Sequence, residues 1–573
     1  MMRWLYQPPP AERLSALHNQ PGLTPLLIHL LARMDDLPVD SVSRFLNPRL
    51  ADLDCPLRLK NMDAAVDRIC LARECGESVA VVGDYDVDGV TSTALMVSVL
   101  RHYGLCPDYY LPRRQEEGYG LSGALIDRVL HNKQPALLIA LDCGTTAVDE
   151  VARLRALGID VIIVDHHRSK EHLPDEAIMI NPHVHDEPDQ PWTALCTVGL
   201  VFKLAHALTK VLRQREDAMA QALDLREHLD LVVLGTVADM VPLLGENRTL
   251  ASHGLKSLLQ TRRPGLRALF AIAGLEEAER IAPSDIAFRL GPRINAGGRL
   301  ADAGLPLEMM LCEELERCKS YAATLDEMNR ERQEIERGIF FQALQQVEAG
   351  QQDAPGLVVY GEDWHPGVVG IVAGKLARQY NRPAIVLGRE GEYAKGSGRG
   401  VAGVNLVQAL QPCAALLGNW GGHPLAVGVG LPVVNVDDFR EAFVASVAAQ
   451  LGAGLLPEPE LSIACWLLPE ELDEQVLLDI EQLGPFGEGN PEPVVGVKGV
   501  VLTHRPDVFG EGHCRFRLPA GPVRRIHTVG WRMEPRIPEA GRSLDLALSL
   551  NWNYWQGRRT MQAQLIDWRH SKE

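Results

Sequence analysis

Residues Ser78–Ser92 read SVAVVGDYDVDGVTS, and this stretch predicts the fold of the first half of the chain. The apolar run Val79–Val82 is typical of a buried strand, and it stops abruptly at a turn that holds Asp84, Asp86 and Asp88. After the turn, hydroxyl residues open a helical pattern of apolar positions. Three carboxylates at alternate positions repel one another, so their concentration on one short turn indicates a bound divalent cation.

Two other interpretations of this acidic turn are weaker. A solvated bend conflicts with the apolar strand and the apolar helix that flank the turn closely. A calcium-binding helix–loop–helix needs a bidentate Glu at the twelfth position of the loop, and counting from Asp84 that position is Leu95. A strand also precedes the loop, where the calcium motif requires a helix.

The composition is that of a globular protein: 573 residues, 46% of them hydrophobic, with a formal net charge of -18 and a pI of about 5.5. The length predicts about three to five domains. The acidic balance argues against retention on nucleic acid by bulk charge, although a nuclease with a local basic groove remains compatible with it.

The location of the protein is predicted from what the sequence lacks. The start has no apolar core of a signal peptide, and no apolar run is long enough to span a membrane. The 11 cysteines show no Cys-x-x-Cys spacing and are expected to be reduced thiols. We therefore expect a cytoplasmic protein with no membrane partner.

Three strand-like runs in the first half, and a fourth run that is apolar, lead into acids or histidines. The runs and the charged residues after them are Val79–Val82 with Asp84, Asp86 and Asp88; Ala136–Leu141 with Asp142; Val161–Val164 with Asp165, His166 and His167; and Leu231–Val237 with Asp239. In an open doubly wound sheet, ligands bind outside the carboxyl ends of the parallel strands. Helix capping explains one Asp at such an end, but four ends carry too many charges for a structural role alone.

The mixture of carboxylates and imidazoles predicts a site for two close divalent cations, Mg²⁺ or Mn²⁺. The ligand set is short of cysteine, which argues against a structural zinc site. Cys143 follows Asp142 directly, and we interpret it as a small buried residue rather than a nucleophile. The chemistry expected of two such ions is the hydrolysis of a phosphate ester or anhydride.

With DYDVDG at 84–89, VIIVDHH at 161–167 and GTVADMVPL at 235–243, the sequence resembles the DHH phosphoesterase superfamily. From about residue 41 to the C-terminus it is similar to the RecJ family of single-strand-specific exonucleases. Further motifs that carry this resemblance are FLNPRLADLDCPL (45–57), EEGYGLS (116–122), LGENR (244–248), LGPRINAGGRL (290–300), LDEMNRERQEIE (325–336), WHPGVVGIVAGKLA (364–377), GSGRG (396–400), GGHPLAVG (421–428) and GPFGEGNPEP (484–493). The family's usual Ala-Ala-Gly-Arg is Ala-Gly-Gly-Arg at 296–299, a departure that touches no charged group.

The resemblance implies a 5′-to-3′ exonuclease that releases 5′-mononucleotides from single-stranded DNA, uses Mg²⁺ or Mn²⁺, and serves DNA repair and recombination. The metal ligands it implies are Asp84, Asp86, Asp88, Asp142, His166 and Asp239. Whether Asp84 touches metal directly stays open. His167 would face the scissile phosphate, and Asp165 would orient the histidines. The resemblance also implies single-strand-binding protein and a RecQ-type helicase as partners, and we expect the protein to be a monomer.

Substrate contacts are predicted in two places of the second half. Guanidinium groups near glycines suit phosphate contacts, and Gly-rich turns let a backbone approach phosphate closely. With the resemblance, these residues are Arg293, Asn295 and Arg299 in segment 281–300, Ser397 and Arg399 in the Gly-rich turn 396–400, and Gly421, Gly422 and His423 in the turn 421–423. From the residues alone, the first segment is equally an ordinary charged turn, and Gly-rich turns are weak indications.

The chain is predicted to contain five parts in an α/β architecture. They are an N-terminal arm (1–50), a doubly wound parallel-sheet DHH catalytic domain (51–317), a connecting helix (318–350), a smaller α/β DHHA1 substrate-binding domain (351–453), and a C-terminal β-rich OB-like nucleic-acid-binding domain (454–573). In the last part, Arg505–Arg532 holds six Arg with interleaved aromatics, which suits stacking of unpaired bases. About half of these aromatics are expected to be core residues.

Three other functions stay open at this point. One is a phosphodiesterase on short oligonucleotides or cyclic dinucleotides, and another is a pyrophosphatase. The long C-terminal part with its basic β-domain disfavours both. The third is a non-catalytic single-strand-binding relative, which the intact set of ligands disfavours.

Overall fold

The computed structural model describes residues 2–571 apart from 114–115, 119, 170–171, 301–303, 453–457, 521–523, 535 and 556–557, and the backbone alone at 300, 524, 555 and 558. No helix in this described part of the chain is long and apolar enough to span a membrane. All 11 cysteines are free thiols.

The N-terminal segment packs into the C-terminal domain. It holds strand β1 (Arg3–Leu5) and helices α1 (Ala11–His18), α2 (Pro25–Ala32) and α3 (Val42–Leu46). β1 pairs in parallel with Glu460–Ser462, and apolar residues of α1–α3 share one hydrophobic core with the C-terminal β-rich domain. The arm predicted from its prolines is therefore a structural part of that domain, because its apolar positions find their partners more than 400 residues later.

A five-stranded parallel sheet, in the order β3-β2-β4-β5-β6, forms the centre of the first α/β domain. Its strands are β2 (Val79–Gly83), β3 (Asp108–Tyr110), β4 (Leu137–Leu141), β5 (Asp160–Val164) and β6 (Ile178–Ile180), and its first helices are α4 (Met62–Cys75), α5 (Val87–His102), α6 (Gly123–Asn132) and α7 (Val148–Ala156). Alternate strand residues enter two cores, one against α4 and α5 and one against α6 and α7. Because both faces are covered, the central strands are continuous apolar runs, and the predicted doubly wound sheet is confirmed.

Helices make up the rest of this domain. They are α8 (Pro182–His185), α9 (Thr197–Gln214), α10 (Ala218–Ala222), α11 (Leu229–Ala238), α12 (Gly245–Leu259), α13 (Pro264–Ala273), α14 (Pro283–Asp285), α15 (Gly291–Leu300) and α16 (Gly304–Leu311), with a π-helical turn at Ile286–Leu290. The fourth apolar run, which leads to Asp239, is thus a helix. Residues 229–237 are all buried, and a helix that is apolar on every side has the same hydrophobic pattern as a buried strand. Segment 281–300, for which a charged turn was one interpretation, is also helical.

A single helix of 36 residues, α17 (Leu315–Gly350), connects the two α/β domains, as predicted, and begins three residues earlier than expected. The second domain contains β7 (Leu357–Gly361), α18 (Val369–Tyr380), β8 (Ala384–Glu390), β9 (Tyr393–Arg399), α19 (Leu406–Leu410), β10 (Asn419–His423), β11 (Ala426–Pro432) and α20 (Val436–Leu451). Its sheet has the order β10-β11-β9-β8-β7. The two Gly-rich stretches predicted as turns, 396–400 and 421–423, lie largely in strands β9 and β10, where the glycines permit close strand and helix packing.

The C-terminal domain is a seven-stranded sheet in the order β13-β14-β18-β19-β17-β16-β15. Its elements are β12 (Glu460–Ser462), β13 (Cys465–Leu467), α21 (Glu474–Gln482), β14 (Val495–Val501), β15 (Asp507–Phe509), β16 (His513–Ala520), β17 (Arg524–Gly530), β18 (Ser543–Trp555) and β19 (Arg558–His570). The domain boundary predicted at 453/454 lies outside the described residues.

Candidate metal centre

The acidic turn joins β2 directly to α5. Asp86 caps the helix, since its Oδ1 accepts a hydrogen bond from the backbone nitrogen of Gly89 over 3.1 Å. A Cβ on Gly89 would lie 2.6 Å from the backbone nitrogen of Asp84, so only glycine allows the turn to fold back this tightly. The turn thereby holds Asp84 and Asp88 in the interior, where they are 2% and 1% exposed.

The beginning of helix α9 holds two of the acids. The backbone nitrogens of Thr197 and Val198 donate to Oδ2 and Oδ1 of Asp88 over 2.7 and 2.8 Å. The hydroxyl of Thr197 donates to Oδ1 of Asp142 over 2.8 Å. The positive end of the α9 dipole therefore faces these carboxylates and offsets part of their repulsion.

The strand end at Asp165 organises the histidines. Oδ1 of Asp165 accepts hydrogen bonds from the backbone nitrogens of His166 and His167 and from Nδ1 of His167, the last over 2.7 Å. Its other oxygen accepts from the hydroxyl of Thr145 over 2.6 Å. The side-chain amide of Asn181 donates to that hydroxyl and to the carbonyl oxygen of His167. Asp165 is thus fully engaged by neighbours and serves to orient the loop.

The predicted ligands converge on His166. Its Nε2 lies 3.5 Å from Oδ1 of Asp142 and 3.5 Å from Oδ2 of Asp239, and 4.0 Å from Oδ2 of Asp88. Three groups offer ligand atoms that all lie within 4.8 Å of one another: Asp142 with His166 and His167, Asp88 with His166 and Asp239, and Asp84 with Asp86 and Asp142. All six predicted ligands occur in these groups. Asp142 belongs to the first and third groups, and His166 belongs to the first and second.

Crowding raises the pKa of the clustered carboxylates. Burial and the charge of Asp86 raise the pKa of Asp84 and of Asp88 to about 7. Burial and the charge of Asp88 raise the pKa of Asp239 to about 8, and the same two causes place the pKa of Asp142 well above its ordinary value. A nearby positive charge would therefore stabilise the ionised form of each carboxylate.

The two histidines respond in opposite directions. Burial and the charge of His167 lower the pKa of His166 to about 4, which keeps its imidazole neutral. Burial alone would lower the pKa of His167, but the hydrogen bond to Asp165 and the charges of the surrounding carboxylates together outweigh it and raise the pKa to about 9. Against the effect of burial, the hydrogen bonds from His167 and Thr145 and the charge of His167 together hold the pKa of Asp165 well below its usual range. A neutral His166 is the form that binds metal.

The residues present fit divalent cations. Among the described side chains, Nε2 of His166 and Oδ1 of Asp84 are buried and have no hydrogen-bond partner. Such atoms cost free energy unless a ligand satisfies them. Carboxylates with one or two imidazoles are the donor set of Mn²⁺ and Mg²⁺ sites, and no cysteine occurs in the three groups. Cys143 is buried, and burial raises the pKa of its thiol well above the usual value, so it is not a nucleophile.

The predicted substrate residues of α15 contact both domains. A Cβ on Gly298 would lie 2.9 to 3.1 Å from atoms of Tyr85, so α15 touches the acidic turn. Nη1 of Arg299 donates to the carbonyl oxygen of Gly367 over 2.9 Å, which joins α15 to the segment before α18. Arg293 is ion-paired with Asp326 over 2.9 Å. The remaining residue of this predicted set, Asn295, lies half-buried on the same helix.

The second set lies on the facing domain. Ser397 and Arg399 belong to β9, and a Cβ on Gly370 in the first turn of α18 would lie 3.1 Å from Oγ of Ser397. Burial lowers the pKa of Arg399, whose Nη1 donates to the carbonyl oxygen of Gly398. Through β11, Gly421 is in register with Ser397 and His423 with Arg399, while Gly422 lies between them on exposed edge strand β10. Contacts thus run from the acidic turn through α15 and α18 to this set.

Three family models match successive parts of the chain: the DHH family N-terminal domain at residues 78–236, the DHHA1 domain at 353–449 and the RecJ OB domain at 463–567. A protein of Bacillus subtilis (strain 168), named single-stranded-DNA-specific exonuclease RecJ, is 36% identical over 576 residues, which cover 99% of this chain and 70% of that protein. Its namesake from Escherichia coli (strain K12) is 34% identical over 522 residues, 88% of this chain and 89% of that protein. The chain belongs to the RecJ family.

A solved RecJ structure shares the whole architecture. The crystal structure of RecJ in complex with Mn²⁺ from Thermus thermophilus matches with a TM-score of 0.84 and 27% identity, covering 100% of this chain and 80% of that chain. The predicted fold class, a DHH domain with a DHHA1 domain and an OB-type domain, is confirmed.

The RecJ motifs identify the acids and histidines but not the side chains that hold them. Thr145, Asn181 and Thr197 act through hydrogen bonds to groups that are distant in sequence. Asn247 contributes in the same way and lies within the motif LGENR, the one signal in the sequence that could have drawn attention to it.

Proposed function

We propose that this chain is a metal-dependent exonuclease that degrades single-stranded DNA. The observation that carries the proposal is the buried cluster around His166, in which carboxylates and an unpartnered imidazole nitrogen converge at the end of a parallel sheet. The relatives named single-stranded-DNA-specific exonuclease RecJ and the Mn²⁺ and Mg²⁺ complexes of RecJ support it.

Six side chains would hold two divalent cations, Mn²⁺ or Mg²⁺. They are Asp84, Asp86, Asp88, Asp142, His166 and Asp239. When bound, such ions would activate a water molecule for attack on phosphorus and offset the charge that develops on the phosphoryl oxygens. The protein's own residues would orient the reacting groups. Asp165 would hold the imidazole of His167 toward the scissile phosphate, and the start of α9 would fix Asp88 and Asp142 in place.

The substrate would lie between the two α/β domains. We assign the anchoring of a 5′-terminal phosphate to Ser397 and Arg399 with the adjacent Gly421, Gly422 and His423, since a guanidinium and a hydroxyl near open backbone suit a terminal phosphate. Arg293, Asn295 and Arg299 would line or brace the path from this anchor to the metal centre. An anchored 5′ end gives 5′-to-3′ degradation with release of 5′-mononucleotides, and DNA repair and recombination are the processes that use it.

The C-terminal domain would hold the strand that enters the cleft. Trp531 is 52% exposed and lies with Phe509 and His513 in one aromatic cluster, with ring centroids 5.0 to 6.1 Å apart. Arg515 lies over the ring of Phe509 at 5.7 Å. Exposed aromatic faces beside cationic groups suit the stacking of unpaired bases, which supports single-stranded over duplex substrate.

We further infer a monomeric, cytoplasmic enzyme that works with single-strand-binding protein and a RecQ-type helicase. The two partners are those that the family resemblance implies. Analytical ultracentrifugation tests the monomeric state, co-purification from cells tests the partners, and cell fractionation tests the location.

Digestion of a single strand labelled at either end, with and without chelator, tests the proposed function. We expect labelled mononucleotide first from the 5′ label, little attack on duplex, and no product when the chelator is present. Release of the 3′ label before the 5′ label, cleavage that is confined to very short oligonucleotides, or chelator-resistant activity would each contradict the proposal. Binding of the strand without any product would indicate the non-catalytic relative.

A further inference from the structure

The motif LGENR (244–248) opens helix α12 and buries three consecutive polar side chains. Glu246, Asn247 and Arg248 are 6%, 1% and 2% exposed. Oε1 of Glu246 accepts from Nζ of Lys203 over 2.8 Å and from the backbone nitrogen of Asp54 over 2.7 Å, which anchors the helix inside its own domain. The next two side chains reach in different directions, and each joins segments that are remote in sequence.

Asn247 joins two segments that adjoin the metal centre: the residues before helix α9 and the loop after Asp239. Its Nδ2 donates to the carbonyl oxygen of Ala194 over 2.7 Å and to the carbonyl oxygen of Pro242 over 3.1 Å. Ala194 lies three residues before Thr197, which holds Asp88 and Asp142. Pro242 lies three residues after Asp239. One buried amide therefore fixes the distance between the start of α9 and the loop that presents Asp239.

Among the described residues, that loop has few other hydrogen bonds, although Leu243 at its end is packed in the core. Asp239 ends helix α11, and Met240 after it has a positive φ of 60° and is 69% exposed. The next hydrogen bond along the loop is from the backbone nitrogen of Leu243 to the carbonyl oxygen of Glu488, over 2.8 Å. Without the amide of Asn247, the carbonyl groups of Ala194 and Pro242 lose a donor and the loop can shift relative to α9.

We propose that Asn247 is a positioning residue of the metal centre, which sets the separation of Asp239 from the Asp88–Asp142 pair without touching metal or substrate. The inference rests on the proposed function, because it concerns the same site. Ligand positions matter at the scale of about 0.5 Å, so loss of one remote hydrogen-bonded bridge is enough to weaken cation binding. Groups that orient ligands from outside typically change metal affinity or activity by about 10- to 100-fold.

Arg248 provides a matched comparison one residue away. Its guanidinium donates to the carbonyl oxygens of Phe45, Leu483 and Gly484 over 2.6 to 2.9 Å and lies 3.6 Å from the ring centroid of Phe45. These partners belong to the N-terminal segment and the C-terminal domain. Arg248 therefore fixes the position of the proposed strand-holding domain and bonds neither of the two segments that Asn247 joins, although it is as deeply buried as Asn247.

The test compares Asn247→Leu with Arg248→Met in the full-length chain. Calorimetric titration of the DNA-free protein with Mn²⁺ gives the metal affinity, and hydrolysis of a strand longer than about 16 nucleotides, the upper site size of one OB domain, gives kcat and KM. We expect Asn247→Leu to weaken Mn²⁺ binding by about 10-fold or more and to lower kcat, with KM nearly unchanged. Arg248→Met should bind Mn²⁺ like the wild type and raise KM by about 10-fold, with kcat nearly unchanged.

Asn247→Ser, whose single O–H donor cannot bond both carbonyl oxygens, replaces Asn247→Leu if the latter fails to fold. Wild-type Mn²⁺ affinity in the folded Asn247 variant overturns the inference, and so does a defect confined to KM like that of Arg248→Met. The two proposals can be contradicted independently of each other. A wild-type protein that hydrolyses no single strand contradicts the proposed function. Calorimetry would still measure whether Asn247 controls the binding of Mn²⁺.

Discussion

Nδ1 of His167 lies 2.7 Å from Oδ1 of Asp165, at the end of the third central strand of the parallel sheet. Asp165 accepts this bond with an oxygen that also receives two backbone donors, and its other oxygen is held by Thr145. The carboxylate cannot rotate without losing several bonds, so His167 has one orientation relative to the ligand cluster.

Removal of the Thr145 hydroxyl should therefore slow turnover. In Thr145→Val, Oδ2 of Asp165 loses its side-chain donor and the His167 loop gains freedom, so we expect kcat to fall by about 10-fold with KM unchanged. Steady-state kinetics on single-stranded DNA measures both constants. Thr145→Ser keeps the hydroxyl and should retain nearly full activity; equal activity in the Val and Ser variants would show that the hydroxyl does not matter.

Asp142 occurs in two of the three ligand groups, so its charge should be essential. The isosteric Asp142→Asn is expected to lower the rate of hydrolysis by about 100-fold or more while strand binding persists, as measured by product release and gel shift. Asp230→Asn is the matched control, because Asp230 is a buried acid that pairs with Arg263 outside the cluster. That variant should lose about 3 kcal/mol of stability and keep its kcat. Substantial hydrolysis by Asp142→Asn would remove Asp142 from the ligand set.

Gly298 allows α15 to touch the acidic turn. A methyl group there would lie 2.9 Å from the ring of Tyr85 and 3.0 Å from its carbonyl oxygen, so Gly298→Ala should displace α15 at a cost of about 1–3 kcal/mol and lower activity. Thermal unfolding and hydrolysis rates measure the two effects. Gly338→Ala, on α17 with open space around it, should instead be neutral or slightly stabilising. A Gly298→Ala protein with wild-type melting and activity would refute the close approach.

Arg399 is the predicted anchor of the terminal phosphate. A charge-assisted contact of this kind is worth about 1.5–3 kcal/mol, so Arg399→Ala should raise KM for a 5′-phosphorylated strand by about 10- to 100-fold and reduce the preference for 5′ ends. Arg389→Ala is a suitable control, since Arg389 is an exposed residue of neighbouring strand β8 that pairs with Glu362. An unchanged preference for 5′ ends in Arg399→Ala would assign the anchor to another residue.

Protonation of His228 should lower the stability of the protein at acidic pH. Burial and the charge of Arg263 lower the pKa of His228 to about 3, and its Nδ1 accepts a hydrogen bond from Arg263 over 2.7 Å. Because the folded pKa is below the ordinary value of 6.5, the stabilisation is complete above pH 6.5 and is lost as the pH falls toward 3. The maximum slope for one proton is about 1.4 kcal/mol per pH unit. The thermal midpoint of wild type should fall faster with acid than that of His228→Gln; parallel curves would contradict the assignment.

Local patterns are least informative where burial or close packing removes the periodicity on which they depend. The fourth apolar run, before Asp239, is a helix that is buried on every side, and its hydrophobic pattern does not distinguish it from a central strand. Residues 396–400 and 421–423 were predicted as turns because of their glycines, yet most of them lie in strands, where the glycines admit the neighbouring helix and strand. A glycine-rich segment indicates that another part of the chain packs closely against its backbone. It does not indicate whether this close packing occurs at a turn or within a sheet.

The sequence by itself determined the parallel sheet and the acids at the ends of its strands, because a strand that is covered on both faces must be apolar throughout and must stop where charge begins. It also determined the long connecting helix and the β-rich C-terminal part. Tertiary structure decided which groups hold the acids: Thr197 reaches Asp88 and Asp142, Asn247 joins the segments beside Asp239 and Thr197, and the N-terminal segment completes the C-terminal core. These contacts rest on hydrogen bonds and apolar packing between residues that are remote in sequence, and no local pattern records which remote partner the folded chain will supply.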